Sequence, residues 1–165
     1  MTIAKPENNI FYSLLNRAPN DPLFNSIPLD QSYLTVKRFS DCIYHGYKPL
    51  GLSFSFTSAK QPKKDDNSDN LILDAIDIYN GTTKDGFQTY QLDLPLPCNI
   101  TTSMVAHDIV SLLGEPDRKG GGGKTRTSCW IEYQFEDNNG GMMIQLHGID
   151  WDDRNMGWTS IVLFK

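Results

Sequence analysis

The stretch that decides the fold opens the second half of the chain, where residues 94–135 read LPLPCNITTSMVAHDIVSLLGEPDRKGGGGKTRTSCWIEYQF. Apolar residues recur at helical spacing over 105–113, and Gly114 followed by Pro116 is a usual helix end. Beyond the glycine run, apolar and polar residues alternate over 129–135, which predicts a strand. The stretch therefore predicts a helix that leads through a flexible glycine loop into a sheet.

The rest of this half predicts further strands of the same sheet. Asn139-Gly140 is a hairpin-turn sequence, alternation resumes over 142–146, and an apolar run over 158–164 closes the chain. At the other end of the unit, Thr102 or Ser103 is expected to cap the helix.

The first half predicts two short helices followed by strands. The helices are expected at 10–15 and 22–27, and the strands at 32–39, 50–56, 71–79 and 87–94. In 50–56 large apolar residues alternate with glycine and serine, so we expect a sheet packed on one side only. The polar, charged segment 57–70 is expected to form a mobile connecting loop.

Helix followed by strands thus occurs twice, over residues 8–80 and 95–165. This order predicts an α+β fold in which one antiparallel sheet carries helices on one face. It also suggests two similar halves within a single domain that spans residues 1–165.

Composition excludes several functional classes. The net charge of −5 argues against a nucleic-acid partner. Cys42, Cys98 and Cys129 are too widely spaced for a disulfide framework or a zinc site. No apolar run is long enough for a signal peptide or a membrane span, so we expect a soluble, cytoplasmic protein. We also expect no metal and no cofactor.

The run GGGGKT at 120–125 invites comparison with a phosphate-binding loop, but it departs from that motif. Arg118 stands where the motif needs its first glycine, and a strand follows where a helix should begin. The interpretation that we prefer is a connecting loop. Its basic residues nevertheless make it a candidate anion-binding surface; they are Arg118, Lys119, Lys124 and Arg126.

The segment WDDRN at 151–155 has the look of a calcium loop, but Arg154 and Ile161 stand where oxygen ligands are needed. Tryptophan is enriched at binding hot spots, so the segment and the tryptophan that follows it form a candidate partner-binding patch. Its members are Trp151, Asp152, Asp153, Arg154 and Trp158. For Trp151 and Trp158 themselves, the interpretation that we prefer is packing in the core. The sequence contains neither GxSxG nor HExxH, so we expect no enzyme.

Three features together resemble a known pattern: Leu94-Pro95, the helix S-x-x-x-V-x-x-x-LG-x-P at Ser103–Pro116, and W-x-x-Y at Trp130 and Tyr133. The pattern is similar to the helix-plus-sheet unit of the β-lactamase inhibitor protein and of SmpA-type outer-membrane assembly lipoproteins. GLSFSF at 51–56 is also faintly similar to the phagosome assembly factor family. Some bacterial relatives look like toxin immunity proteins.

The resemblance implies an α+β protein that binds other proteins, and it carries over no catalytic residue. We therefore expect a noncatalytic protein-binding module, an inhibitor or immunity protein, that uses a sheet face or the loops carrying Trp151 and Trp158. Two alternatives stay open. One is an enzyme or binder of a small anionic ligand at the basic glycine loop. The other is a subunit whose free sheet edge pairs with another chain.

Overall fold

The computed structural model describes residues 2–58, 70–137 and 139–165. Of the connecting loop expected at 57–70, residues 59–69 lie outside this part. The α-helices are α1 (Ile10–Leu14) and α2 (Ala106–Leu113). The strands are β1 (Leu34–Arg38), β2 (Cys42–Tyr47), β3 (Leu52–Ser58), β4 (Leu71–Tyr79), β5 (Arg118–Gly120), β6 (Trp130–Gln134), β7 (Gly141–Leu146) and β8 (Trp158–Phe164).

In the part of the chain that the structure describes, eight strands form one sheet in the order β1-β2-β3-β4-β8-β7-β6-β5, and every neighbouring pair is antiparallel. The predicted antiparallel sheet is confirmed. Each half contributes a short helix and then four strands, and the halves meet where β4 pairs with β8. This topology is what a duplication would produce, and the duplication itself stays a prediction. With α-helices of only five and eight residues, the molecule is mainly sheet, so helices contribute less than the α+β expectation implied.

The core lies against one face of the sheet, because alternate residues of each central strand point the same way. In β7, Met142 and Ile144 are fully buried, and in β8 Ile161 and Leu163 are as well. Phe11 of α1 belongs to the same apolar cluster and is also fully buried. Each such side chain contributes roughly 1.5–3 kcal/mol when it leaves water, so this face dominates the stability of the fold.

One hydrogen bond explains why the helix end and the W-x-x-Y strand occur together in the sequence. The hydroxyl of Tyr133 in β6 donates to the backbone oxygen of Gly114, at 2.8 Å, just beyond the last turn of α2. Gly114 has a φ of 86°, which favours glycine, and its amide donates to the oxygen of Val110. Tyr133 therefore attaches the end of α2 to the sheet.

Several local predictions need correction. The second expected helix is a 3-10 helix, Pro22–Ser26, with Asp21 as its N-cap. The N-cap of α2 is Val105, whose amide donates to the Asp108 carboxylate, so neither Thr102 nor Ser103 caps this helix.

Two errors concern strands. β2 was missed, because glycine at position 46 interrupts the apolar pattern. Residues 87–94 were predicted as a strand, but they form none. Instead, the backbone amides of Gln88 and Gln91 donate hydrogen bonds to the backbone oxygens of Lys48 and Leu50. This segment therefore crosses the end of the sheet.

The expectation of a sheet packed on one side only is also wrong at β3. Ser53 and Ser55, which point away from the core, are only 5% and 8% exposed. The segment after β4 covers this region with Phe87, whose ring centroid lies 4.5 Å from that of Tyr79. The ring packs closely over Gly46, since a Cβ at this position would lie 3.1 Å from Phe87 Cζ.

Candidate functional site

The face of the sheet opposite the core keeps accessible surface across its centre. We call this region the outer face and define it by the half-buried side chains of Tyr79, Trp130, Met143, Val162 and Phe164. The register places them together, because Val162 pairs with Met143 on one side and with Asp77 on the other. Met143, Val162 and Phe164 therefore form an apolar centre, while Gln145 and Ser160 lie between Trp130 and Tyr79 in the neighbouring row of the sheet.

Most charge on the outer face is already paired. Arg118 of β5 lies 3.5 Å from the Glu132 carboxylate, and its guanidinium lies 6.0 Å from the centre of the Trp130 ring. The amide of Gln145 donates to the backbone oxygens of Ser128 and Cys129. The centre of the face is therefore apolar, with its polar groups engaged by their own neighbours.

Asp77 is the exception on this face. It stands on β4 between Ser53 and Val162, where burial raises the pKa of its carboxyl to about 6. Within the described ranges, no group donates a hydrogen bond to this carboxylate. The pKa of the Tyr79 phenol is raised by burial and then by the charge of Asp77. A half-buried carboxylate without a donor is costly, and such groups are enriched at functional sites.

A pocket of about 310 Å³ opens on the half of the sheet formed by β1–β4, and its lining includes Ser53 and Tyr79 but not Asp77. We call it the aromatic pocket, because its lining includes the rings of Phe39, Tyr44, Tyr79 and Phe87. Sequence reasoning did not identify it. The available signal was Asp77, one of the two aspartates in the apolar run LILDAIDIY.

The glycine loop is a folded connection, and its backbone is already committed. Gly122 and Gly123 donate their amides to the oxygens of Thr127 and Ile149, both at 2.7 Å, and Thr125 donates to Gly122. A phosphate cradle needs such amides free to point at the ligand. The first part of the run is the edge strand β5 rather than a flexible loop, so that prediction needs correction.

The four predicted anion-binding residues divide into two places. Arg118 and Lys119 lie on β5, whereas Lys124 and Arg126 lie in the turn that follows it. The Lys119 ammonium lies 5.4 Å from the centre of the Trp151 ring. The structure thus brings Lys119 next to the second predicted patch.

The WDDRN segment and the glycine loop form one surface, which we call the loop surface. The Trp151 indole N–H donates to the oxygen of Gly121 at 3.0 Å, while 39% of the side chain stays exposed. Asp152 and Asp153 are exposed in the same segment. Their carboxylates offset the nearby cations, so the combined surface does not favour an anion. Arg154 is also exposed, and its backbone oxygen accepts from His107 at the start of α2.

Trp158 does not belong to this surface, and its place among the partner-binding candidates needs correction. It is 2% exposed, and its indole N–H donates to the oxygen of Thr101 at 2.9 Å. The core face of β8 therefore encloses the ring and satisfies its one polar group.

The comparisons with known proteins add no family. No family model matches the chain, and no curated protein or solved structure is significantly similar to it. The resemblance to the β-lactamase inhibitor protein and to SmpA-type lipoproteins stays a prediction.

Two further features of the described residues are relevant to chemistry. No group of three or more His, Cys, Asp or Glu side chains is close enough within them to hold a metal ion. No helix among them is long and apolar enough to cross a membrane.

A larger pocket, of about 750 Å³, lies on the core side between the 3-10 helix Pro22–Ser26 and β1–β3. The two carboxylates of this pocket already accept hydrogen bonds from nearby backbone amides. Asp21 accepts from the Leu23 amide, and Asp30 accepts from the Ser32 amide. His45 stacks on Phe56, with ring centroids 4.9 Å apart, and burial lowers its pKa. We interpret this pocket as a seam between packed elements.

Proposed function

We propose that the protein is a noncatalytic module of the inhibitor or immunity type that binds another protein through its outer face. The observation that carries the proposal is the cluster of half-buried apolar side chains on β8 and β7, flanked by aromatic side chains on β4 and β6. Met143, Val162 and Phe164 lie at its centre, with Trp130 and Tyr79 on either side.

The composition of the outer face supports this role. Tryptophan, tyrosine and methionine are the residues enriched at the cores of protein interfaces, where charged residues are depleted. Methionine also adapts its shape to a partner at little cost. We therefore expect the partner to present a mainly apolar patch to Met143 and Val162, with polar groups toward the Arg118–Glu132 pair.

The outer face supplies about half of a standard interface. Its four strands, β4, β8, β7 and β6, occupy roughly 19 Å at about 4.8 Å spacing, and strands of five to seven residues extend about 17–24 Å. The face therefore covers on the order of 300–450 Å², against the roughly 800 Å² that one partner contributes to a standard interface, so the contact must extend beyond it.

The loop surface offers a second contact at the far edge of the sheet. Ile149 and Trp151 are 49% and 39% exposed, and Asp152, Asp153 and Arg154 surround them with charge. An apolar centre with a polar rim is the usual anatomy of a contact patch. In this proposal the loop surface assists binding at the outer face.

The alternative function, a binder of small anions or an enzyme at the basic glycine loop, has less support. The amides of Gly122 and Gly123 are already hydrogen-bonded, and aspartates share the surface with the cations. Thermal-shift measurements with nucleotides and phosphorylated metabolites test it. An increase in Tm that the Lys124→Ala variant loses would favour this alternative.

Photo-crosslinking tests the proposed function. A photoreactive phenylalanine at Met143 on the outer face is compared with the same residue at Leu112, which is 46% exposed on α2. We expect a discrete crosslinked protein from native cell extract at position 143 and none at position 112.

A charge substitution provides the second arm. Val162→Lys should weaken binding of that crosslinked protein at least tenfold, because it places a charge in an apolar contact, whereas Leu112→Lys should not. Equal crosslinking at both positions, or equal affinity of the two lysine variants, would count against the outer face.

A further inference from the structure

Strand β1 is an open edge of the sheet. The amide of Phe39 donates to the oxygen of Cys42 at 2.8 Å, at the end of the β1–β2 hairpin. Bonded pairs alternate along an antiparallel ladder, so Lys37 also bonds to β2, whereas Val36 and Arg38 direct their backbone groups away from it. In the part of the chain that the structure describes, these groups of Val36 and Arg38 have no backbone partner. An unpaired edge of this kind is a template for one further strand.

The opposite edge of the sheet, β5, offers much less. It has three residues, and Arg118 lies 3.5 Å from the Glu132 carboxylate of β6. The chain then enters the folded glycine turn, where Gly122 donates its amide to the oxygen of Thr127. A short edge strand is one of the means by which proteins prevent unwanted pairing. The five residues of β1 therefore form the edge that can accept a strand.

Exposed apolar side chains are concentrated around β1. Among the seven large hydrophobic side chains that are exposed in the described chain, four lie on this strand, next to it or on β2: Tyr33, Val36, Phe39 and Tyr44. Side chains alternate along a strand, so Val36 points to the same face as Leu34, which packs against the core. Val36 is nevertheless 43% exposed. An apolar side chain on an added strand would cover it.

The charges of β1 determine which strand fits. Lys37 and Arg38 are exposed on opposite faces of the strand, and within the described ranges neither forms an ion pair. The strand contains no carboxylate, so it is a basic edge on a chain with a net charge of −5. A second copy of β1 would bring two lysines and two arginines into one short ladder, and like charges across strands are destabilising. Acidic side chains would instead neutralise the edge.

We propose that β1 binds an extended, acidic segment of a partner protein, which adds an antiparallel strand to this edge of the sheet. Two consecutive acidic residues of the segment face Arg38 and Lys37, and an apolar residue follows them opposite Val36. The backbone of the segment fills the unpaired positions of β1. The inference goes beyond the proposed function and does not rest on it, because β1 lies outside the outer face.

A peptide titration followed by NMR tests this site with the full chain. The probe is the acetylated and amidated peptide Gly-Glu-Glu-Val-Thr-Val-Gly, and in the control peptide lysine replaces both glutamates. At low ionic strength we expect the acidic peptide to bind at least about tenfold more tightly, because opposite charges replace like charges at two positions. The amide signals of Val36 and Arg38 should shift more than that of Lys37, since only they gain hydrogen bonds.

Charge reversal tests the recognition without changing the core. The double variant Lys37→Glu and Arg38→Glu should reverse the preference, so that the lysine peptide binds more tightly. The control variant, Lys124→Glu and Arg126→Glu, makes the same change of net charge at exposed positions of the glycine turn. It lies next to the opposite edge of the sheet and should leave the preference for the acidic peptide intact.

N-methylation of the peptide tests strand addition itself. The amide of the first valine points toward β1 in the proposed register, so a methyl group on it should weaken binding by about tenfold or more. The amide of the second glutamate points away from the sheet. A methyl group on that amide should have little effect.

Several results would contradict the inference: equal affinity for the acidic and basic peptides, no binding of the acidic peptide at millimolar concentration, or amide shifts confined to other strands. Shifts of the Val36 signal that depend on protein concentration without peptide would assign the edge to a second copy, and would also overturn it. Val162→Lys on the outer face should leave peptide binding unchanged. Failure of the proposed function and failure of this inference therefore give different results.

Discussion

Replacing Asp77 by asparagine is expected to stabilise the protein at neutral pH. The pKa of the carboxyl is raised from an ordinary 3.8 to about 6, because burial disfavours its charged form. Each unit of that difference is worth about 1.4 kcal/mol, so the ionised side chain costs at most about 3 kcal/mol of folding free energy at pH 7. Asparagine keeps the shape of the side chain and removes the charge.

The pH dependence gives this prediction its sign. The folded protein binds the Asp77 proton more tightly than the unfolded chain, so the cost is absent below about pH 3.8 and complete above about pH 6. The free energy of unfolding of the wild type therefore loses this contribution as pH rises through that window. The gain from Asp77→Asn grows over the same interval.

Urea denaturation at pH 4.5 and pH 7.5 measures the effect, with Asp74→Asn as the matched control on β4. We expect the free energy of unfolding at pH 7.5 to rise by up to about 3 kcal/mol. For a chain of this length, that gain corresponds to an increase in Tm of roughly 6–12 °C. The increase should be much smaller at pH 4.5. An equal gain at both pH values, or a loss of stability at pH 7.5, would refute the account of Asp77.

Two further predictions concern the stability of the fold. Gly140 has a φ of +98°, and a Cβ at this position would collide with the backbone of Phe164, so Gly140→Ala should lower the free energy of unfolding, measured with urea, by several kcal/mol. Gly123 has open space around it, so Gly123→Ala should lower it by only about 1 kcal/mol. Trp158→Ala should lose about 3–5 kcal/mol of unfolding free energy, and Trp151→Ala under about 1.5 kcal/mol, because only the first indole is enclosed; similar losses for both would contradict their assignment to core and surface.

Much of the sheet could be predicted because its strands are mainly apolar runs bounded by turn residues. β4, from Leu71 to Tyr79, has the predicted bounds, and β8 coincides with the predicted run 158–164. β2 was missed because Gly46 and His45 interrupt the apolar pattern. Phe87, which is distant in sequence, packs closely over Gly46. Local periodicity contains no information about such a contact.

The candidate site was harder to predict for the same reason. Trp151 and Trp158 occur in one short segment, yet one is exposed and the other is buried. Trp158 begins β8 and pairs with Leu146 at the irregular register of β7, whereas Trp151 lies in the turn before this strand. The significance of Asp77 likewise depends on its pairing with Ser53, which the sequence does not specify.

The central claim is that the partner binds to the outer face. Methyl NMR tests this claim most directly. Met143 lies on this face, whereas Met142 and Met156 are buried. With ε-¹³C-methionine protein and the partner recovered by crosslinking, we predict that the Met143 methyl signal shifts or broadens at stoichiometric partner while the Met156 signal does not. A bound partner that leaves the Met143 signal unchanged would contradict the claim.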